Sequence, residues 1–386
     1  MISPHASPAL PAVPLKEARR ATRLIFLLAG MAMSSWAPMV PYAKSRLGLD
    51  NAQLGLMLLA FGGGSMASMP FMGWLSHRFG NRRVILVSCA LVCLAMPWLA
   101  WAPSIPLLTA ALLYFGVTLG AVDVAMNVHA VEVERLDGRM LMSGFHGLFS
   151  LGGLTGAAVV SGLLAVGAPL LAVAPVISLL LALIVWTQRH HLLDEVHDDA
   201  PKAPMRMPGA MALLLGMLCF ASFMAEGSML DWSAVFLRDF RGVAASAAGV
   251  GFACFSVAMA CGRLTGDRLI ARLGPVRVVR LGAGLAALGF AAVAALPWSA
   301  ASMVGYILIG LGASNIVPVM FSAAGRLPGN SPAISLAAVT VLGYAGMLSG
   351  PALIGFIAHA TSLPWGMVFL AGILAMVSAS ARIVRR

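Results

Sequence analysis

Apolar residues fill this chain in long runs, and polar residues interrupt them in short bursts. A helix needs roughly 20 predominantly apolar residues to cross a bilayer. Charges, prolines and glycines cut the sequence into twelve such runs: 22–44, 52–76, 83–102, 105–131, 140–166, 168–188, 209–237, 244–270, 276–296, 299–324, 332–360 and 363–383. The pattern predicts an all-α membrane protein with twelve transmembrane helices. Some hairpins are short, notably at Ala102–Ser104 and Gly167–Ala168.

The polar bursts are sorted by charge. With the N-terminus inside, 21 of the 25 Lys and Arg fall on the cytoplasmic side, and only Lys44, Arg46, Arg238 and Arg241 fall outside. The positive-inside rule therefore predicts a multi-pass membrane protein with both termini in the cytoplasm. Composition agrees: 60% of residues are hydrophobic, 10% are charged, and mean hydropathy is +0.92. Soluble domains carry about 25% charged residues, so a large soluble core is excluded.

The net charge of +11 and pI near 10.3 suggest nucleic acid only until the positions of the cations are read. They lie in short connections between apolar runs and form no basic stripe, so no nucleic-acid partner is expected. Residues 1–15 have no apolar h-region, and no cleavable signal peptide is expected. Cys89, Cys93, Cys219, Cys254 and Cys261 all fall in apolar runs, where they read as small packing residues without a disulfide framework or zinc motif.

The longest polar interruption, "RHHLLDEVHDDAPKAPMRMPG" (189–209), lies near the middle of the chain. It divides the sequence into a cytoplasmic tail (1–21), a six-helix half (22–188), a cytoplasmic linker (189–208) and a second six-helix half (209–386). His190, His191, Asp194 and His197 read as solvated linker rather than a metal site.

The halves repeat. Shifted by 194 residues, "FGGGSMASMPFMGWLSHRFGNRR" (61–83) lies over "FSVAMACGRLTGDRLIARLGPVR" (255–277), with Gly80 on Gly274 and Arg83 on Arg277. Shifted by 192, "YFGVTLGAVD" lies over "YILIGLGASN", which sets Asp123 on Asn315. Duplicated halves typify secondary transporters, whose substrate sits between them near the midplane.

"GWLSHRFGNRR" (73–83) resembles the loop signature of the major facilitator superfamily, G-x-L-a-D-r-x-G-r-[KR]-x. Gly73, Leu75, Arg78, Gly80, Arg82 and Arg83 fit it, whereas Ser76 stands where the family usually has Asp. The second half offers "GRLTGDRLIARLG" (262–274), with Arg263, Asp267 and Arg268. Arginines in such loops cap helix C-termini and bridge to acids. Gly73, Arg78, Gly80, Arg82, Arg83, Arg263, Asp267 and Arg268 are thus candidates for a cytoplasmic gate.

Three acids stand out inside apolar runs: Asp123, Glu226 and Asp231. A charge at the bilayer centre costs about 2.5–3.5 kcal/mol on insertion scales, so such an acid is a functional candidate. Asp123 lies nine residues before the 4–5 connection and His146 seven after it. At a helical rise of ~1.5 Å per residue they reach similar depths, roughly 10–14 Å from the loop. The expectation is a facing Asp–His pair that binds a proton; the alternative is that His146 and Asn127 only hydrogen-bond to each other between helices. Glu226 and Asp231 in "FMAEGSMLDWSAVFLRD" point roughly 140° apart on a helix, Glu226 toward a cavity and Asp231 toward the outside. Trp232 reads either as a stacking platform or as an interfacial anchor. Asn315 reads either as a neutral substrate contact or as packing glue.

"LGAVDVAMN…FHGLFSLGG" resembles the fucose–proton symporter branch of the superfamily. There an acid in L-E-T-A-A-N carries protons and an Asn in Q-T-F-N-S-F-G binds sugar. The resemblance implies a proton role for Asp123 and substrate roles for Asn127, Ser143 and His146. That branch also has an acid on its first helix, whereas this chain offers only Ser34, Ser35 and Trp36 there, so sugar specificity is not carried over. A closer likeness is to bacterial members that share "FH-x-x-x-S-x-G-G" and "E-G-x-x-x-D-W-S".

The sequence reading is a monomeric secondary transporter in membrane lipid. It moves a small polar organic solute by alternating access, coupled to protons through Asp123, with Glu226 and Asp231 as further proton sites. A proton-coupled efflux antiporter for amphipathic compounds is the alternative. No enzyme motif, cofactor or metal site is visible.

Overall fold

The structure is a computed structural model and describes residues 13–49, 51–193, 208–244, 249–328 and 331–385. Among them the chain is helical, without a strand. The first half comprises α1 (Leu15–Ser35), α2 (Val40–Leu47), α3 (Asn51–Phe79), α4 (Asn81–Trp101), α5 (Ile105–Asp137), α6 (Met142–Ala165) and α7 (Leu170–Gln188). The second comprises α8 (Ala210–Arg241), α9 (Val250–Leu273), α10 (Pro275–Ala295), α11 (Ser299–Ala313), α12 (Ile316–Gly325), α13 (Pro332–Ala360) and α14 (Leu363–Ala379).

These fourteen helices make twelve crossings, because the first and tenth crossings are each broken in two. Ten segments are long and apolar enough to span a membrane, the broken Leu15–Leu47 and Ser299–Gly325 among them. The other two crossings, α3 and α9, are 29 and 24 residues long. Large apolar side chains such as Leu94, Leu179, Trp186 and Phe356 are exposed, as a lipid-facing surface requires.

Proline accounts for both breaks. Between α1 and α2 the chain tightens into a 3₁₀ turn, Ala37–Met39, containing Pro38, and Pro41 follows in the first turn of α2. Pro318 has no N–H to bond the Ser314 carbonyl four residues back, so α11 and α12 part at Ser314–Asn315.

The halves share one packing scheme. In the first, α1 packs on α6, α3 on α5, and α4 on α5 and α7. In the second, α8 packs on α13, α9 on α11, and α10 on α11 and α14. Backbone detail repeats as well. Gly48 and Gly242, 194 residues apart, end α2 and α8 at φ 61° and 64°. Gly80 and Gly274, again 194 apart, join α3 to α4 and α9 to α10 at φ 84° and 79°. Only glycine enters that conformation without steric cost.

The two faces of the bundle treat their cations differently. On the face opposite the termini, Arg46 donates to the carbonyls of Leu99 and Ala100, at the end of α4. Arg241 donates to Val293 O at 2.6 Å, near the end of α10. Leu99 and Val293 are 194 apart, so both arginines neutralise matching helix C-termini. The face carrying the termini, here called the basic face, holds most of the remaining cations.

The halves touch through α3 with α13 and α6 with α9. Near the basic face, the Cα of Gly325 on α12 sits close against Val131 of α5. Arg326, just after α12, pairs with Glu134 of α5 at 2.6 Å. The bundle is closed at this end.

Candidate functional site

Asp123 is half-buried on α5, and no Lys or Arg pairs with it among the described residues. Asn127, one turn on and fully buried, donates its amide to Asp123 O at 2.8 Å and reaches Asp123 Oδ1 at 3.4 Å. The Asn127 carbonyl lies 3.3 Å from His146 Nε2 on α6. The His146 ring is wedged edge-on between Phe26 and Phe321, with centroids 5.3 and 5.6 Å away. Tyr344, on α13 of the other half, lies within electrostatic reach of Asp123.

The facing Asp123–His146 pair is therefore corrected: Asn127 stands between them. α5 does not end where its apolar run ends. It stays helical through Glu132, Glu134 and Arg135 to Asp137, which sets Asp123 fourteen residues from the helix end, about 21 Å at 1.5 Å per residue. His146 lies only four residues into α6, about 6 Å.

Beside this chain lies a buried ion pair. Arg263 Nη2 of α9 is 3.2 Å from Glu226 Oε2 of α8. Arg263 also donates to Ser150 Oγ of α6 at 3.0 Å and to the freed Ser314 carbonyl at 3.4 Å. Ser150 in turn donates to His146 O at 3.3 Å, and His146 feels the Arg263 charge. Asn315 donates to Gly262 O at 3.1 Å and to Ser314 Oγ at 2.9 Å. Asp123, Asn127, His146, Ser150, Arg263, Glu226 and Asn315 thus form one polar seam across the interface of the halves. The charge pattern of the sequence places Arg263 among the cytoplasmic cations. It lies instead ten residues inside the end of α9, 7% exposed, and serves the interior.

Two buried polar atoms at the seam, Ser143 Oγ and Asn315 Oδ1, have no partner among the described residues, and neither does the Trp36 indole N–H just past the end of α1. Gly266 of α9 packs so closely here that a methyl group on it would strike both Asn315 and Ser143. Ser34 is half-buried beside Gly153 of α6, while Ser35 spends its hydroxyl on Met31 O. Asp231 is exposed near the far end of α8. Trp232 donates to Pro351 O of α13 at 3.0 Å, so its ring is anchored within the second half.

The gate candidates divide. Asp267 of α9 receives the backbone N–H of Gly144 at 3.1 Å, so a carboxylate from one half caps the first turn of α6 in the other. Arg82 donates to Arg189 O at 3.0 Å, just past the end of α7. Arg78 is exposed and stacks on Trp74 at 5.3 Å. Arg83 and Arg268 are exposed, and Gly73 lies within α3. Ser76, at the position usually held by Asp, donates to Asn81 Oδ1 at 2.9 Å, and Asn81 donates to Ala125 O of α5 at 2.8 Å. A neutral link replaces a charged one. In the linker, His191 lies 3.6 Å from Glu17, while Asp194 and His197 fall outside the described residues.

Residues 24–345 match the Major Facilitator Superfamily. The chain belongs to that family. It is 46% identical over 372 residues to an uncharacterised MFS-type transporter of Yersinia pestis, covering 95% of each chain. It is 29% identical over 357 residues to membrane protein MosC of Rhizobium meliloti, covering 92% of this chain and 87% of MosC. Among solved structures it resembles FucP in the outward conformation, with TM-score 0.80 and 18% identity over 95% of this chain and 98% of that one. It also resembles the human organic anion transporter MFSD10, with TM-score 0.77 and 17% identity over 95% and 99%. At these identities the structural likeness carries the fold alone.

As an MFS transporter the chain is a membrane protein and not an enzyme. One residue of its closed gate escaped the sequence reading: Glu134. It is 2% exposed, accepts the N–H groups of Leu141 and Met142 at 2.8 and 3.0 Å, and pairs with Arg326. In "HAVEVERLDGRM" it looks like one loop charge among several. Its one signal is the alternation of Val131 and Val133 with the acids, which keeps the segment half apolar.

Proposed function

We propose that this protein is a secondary active transporter of a small polar organic solute, driven by protons that bind Asp123. The observation carrying this reading is the contrast between two acids inside apolar helices. Glu226 has its charge matched by Arg263, whereas Asp123 has no cation partner among the described residues. An acid inside an apolar helix with no cation partner is a functional candidate for carrying a proton, whereas a paired acid is committed to its partner. Asp123 is therefore the acid that takes up and releases the proton during the cycle, while Arg263 holds Glu226 in an ion pair.

The seam beside Asp123 offers both an arginine fork and a carboxylate, joined to neutral donors and acceptors. Such a surface suits a solute rich in hydroxyl or carboxylate groups better than an amphipathic one. Asn127 and His146 transmit the state of Asp123 toward Arg263 and Asn315, where the solute binds. Alternating access then rocks the halves about this seam.

The test uses proteoliposomes and a panel of sugars, polyols and organic acids, first screened by thermal stabilisation. Wild type accumulates the best ligand when an inward proton gradient is imposed. Asp123→Asn keeps exchange of internal for external solute but loses gradient-driven accumulation. Full accumulation by Asp123→Asn refutes the assignment.

A further inference from the structure

A second site lies outside the seam, at the basic face of the second half. A cavity of about 600 Å³ opens there between the start of α10, the end of α12 and the 3₁₀ segment Ser380–Arg385. Four arginines line it: Arg277, Arg280, Arg326 and Arg382. No acidic side chain is among its lining residues. Among the described residues only Arg326 of the four is ion-paired, with Glu134.

Four like charges around one hollow repel each other, and a cavity lined this way is most stable when an anion fills it. Two further features point the same way. α10 starts at the cavity with Pro275, so the positive end of its dipole and its free first-turn N–H groups face the same space. Ser322 of α12 also lines the cavity; it is 1% exposed, and its hydroxyl has no partner. A buried hydroxyl left unpaired costs free energy that a ligand oxygen recovers.

We propose that this cavity binds a phosphate-class anion, with the arginines as charge-assisted donors and Ser322 as an added hydrogen bond. The volume accommodates a phosphomonoester, a pyrophosphate or the headgroup of an anionic phospholipid, all of which present the same oxygens. The site is also wired to the gate. Arg326 belongs both to the cavity and to the Glu134 pair, and Met140 brings the first half to the cavity wall. An anion here competes with Glu134 for Arg326 and so shifts the balance between closed and open gate.

The experiment takes the full chain in zwitterionic nanodiscs and measures its unfolding midpoint against inorganic pyrophosphate, with chloride holding ionic strength constant. Wild type is stabilised saturably. The Arg280→Gln/Arg382→Gln double variant binds about tenfold more weakly. Ser322→Ala, which removes only an unpaired hydroxyl, unfolds like wild type without ligand and binds pyrophosphate several-fold more weakly. In parallel, native mass spectrometry compares retention of phosphatidylglycerol with that of phosphatidylcholine in the same three proteins. Arginine-dependent stabilisation by pyrophosphate alone assigns the site to a soluble phosphate. Arginine-dependent retention of phosphatidylglycerol alone assigns it to a lipid headgroup, and both together to either source. If wild type and the double variant behave alike in both arms, the proposal is overturned.

Discussion

Arg263 and Glu226 meet at 3.2 Å in the interior of the bundle, with side-chain exposures of only 9% and 14%. A pair this buried is costly to break from one side, because the surviving charge is left without a partner or water. Removing one member of a buried pair typically costs about 3–5 kcal/mol, whereas replacing both by apolar groups is often neutral. Arg263→Ala is therefore expected to lower the unfolding midpoint sharply. Arg263→Met/Glu226→Leu should recover much of that stability while abolishing transport. Equal stability of Arg263→Ala and wild type would show that the pair is solvated.

Asn127 carries the connection between Asp123 and His146, and its loss should separate proton binding from solute binding. In Asn127→Ala the Asp123 carboxyl remains but its link to His146 through Asn127 is gone. Concentrative uptake should fall about tenfold, the worth of roughly one hydrogen bond, while ligand-induced thermal stabilisation changes by less than uptake. Equal losses in both measurements would instead place Asn127 in direct contact with the solute.

The twelve runs and the half-chain repeat were legible because membrane crossing imposes length and apolarity on every helix. The glycines at 80 and 274 showed through for a related reason, since their backbone angle admits little else. The register of His146 was not legible. Apolarity marks the edge of the bilayer and says little about the end of a helix, and α5 runs past its own apolar stretch to Asp137. Arg263 read as a cytoplasmic cation although it falls within the apolar run 244–270, because it shares its segment with the basic residues that follow. Its partner Glu226 lies 37 residues earlier on another helix, and no local pattern joins them. Glu134 was hidden among solvated charges that share its composition but not its burial.

The closed end of the bundle should depend unequally on Glu134 and Arg326. Glu134 is buried and satisfies two backbone N–H groups where α5 passes into α6, besides its ion pair. Arg326 is half exposed, with 51% of its side chain open. Glu134→Ala leaves two buried donors unpaired, at about 1–3 kcal/mol each. Arg326→Ala removes a half-exposed guanidinium and leaves the Glu134 carboxylate still bonded to both backbone N–H groups, so its cost is smaller. Unfolding midpoints should fall far more for Glu134→Ala. Cysteine labelling near Val131 should rise in both variants, because both loosen the gate. Similar stability losses would mean that the ion pair, and not the backbone cap, is what Glu134 provides.

The α1–α6 contact is set by backbone approach, and two glycines on one helix make a controlled comparison. A methyl group on Gly152 would strike the carbonyl and Cα of Leu27 on α1. These are backbone atoms that no rotamer change can move aside. Gly162, ten residues further along α6, has nothing within 4 Å of the same position. Alanine is better than glycine inside a helix by about 0.5–1 kcal/mol, so Gly162→Ala should be neutral or slightly stabilising. Gly152→Ala must push α1 away from α6, opening voids along an interface that also carries Phe26 against His146. It should lower the unfolding midpoint and reduce transport together. Tolerance of Gly152→Ala would show that α1 and α6 shift apart readily, and would count against a fixed seating of His146 between Phe26 and Phe321.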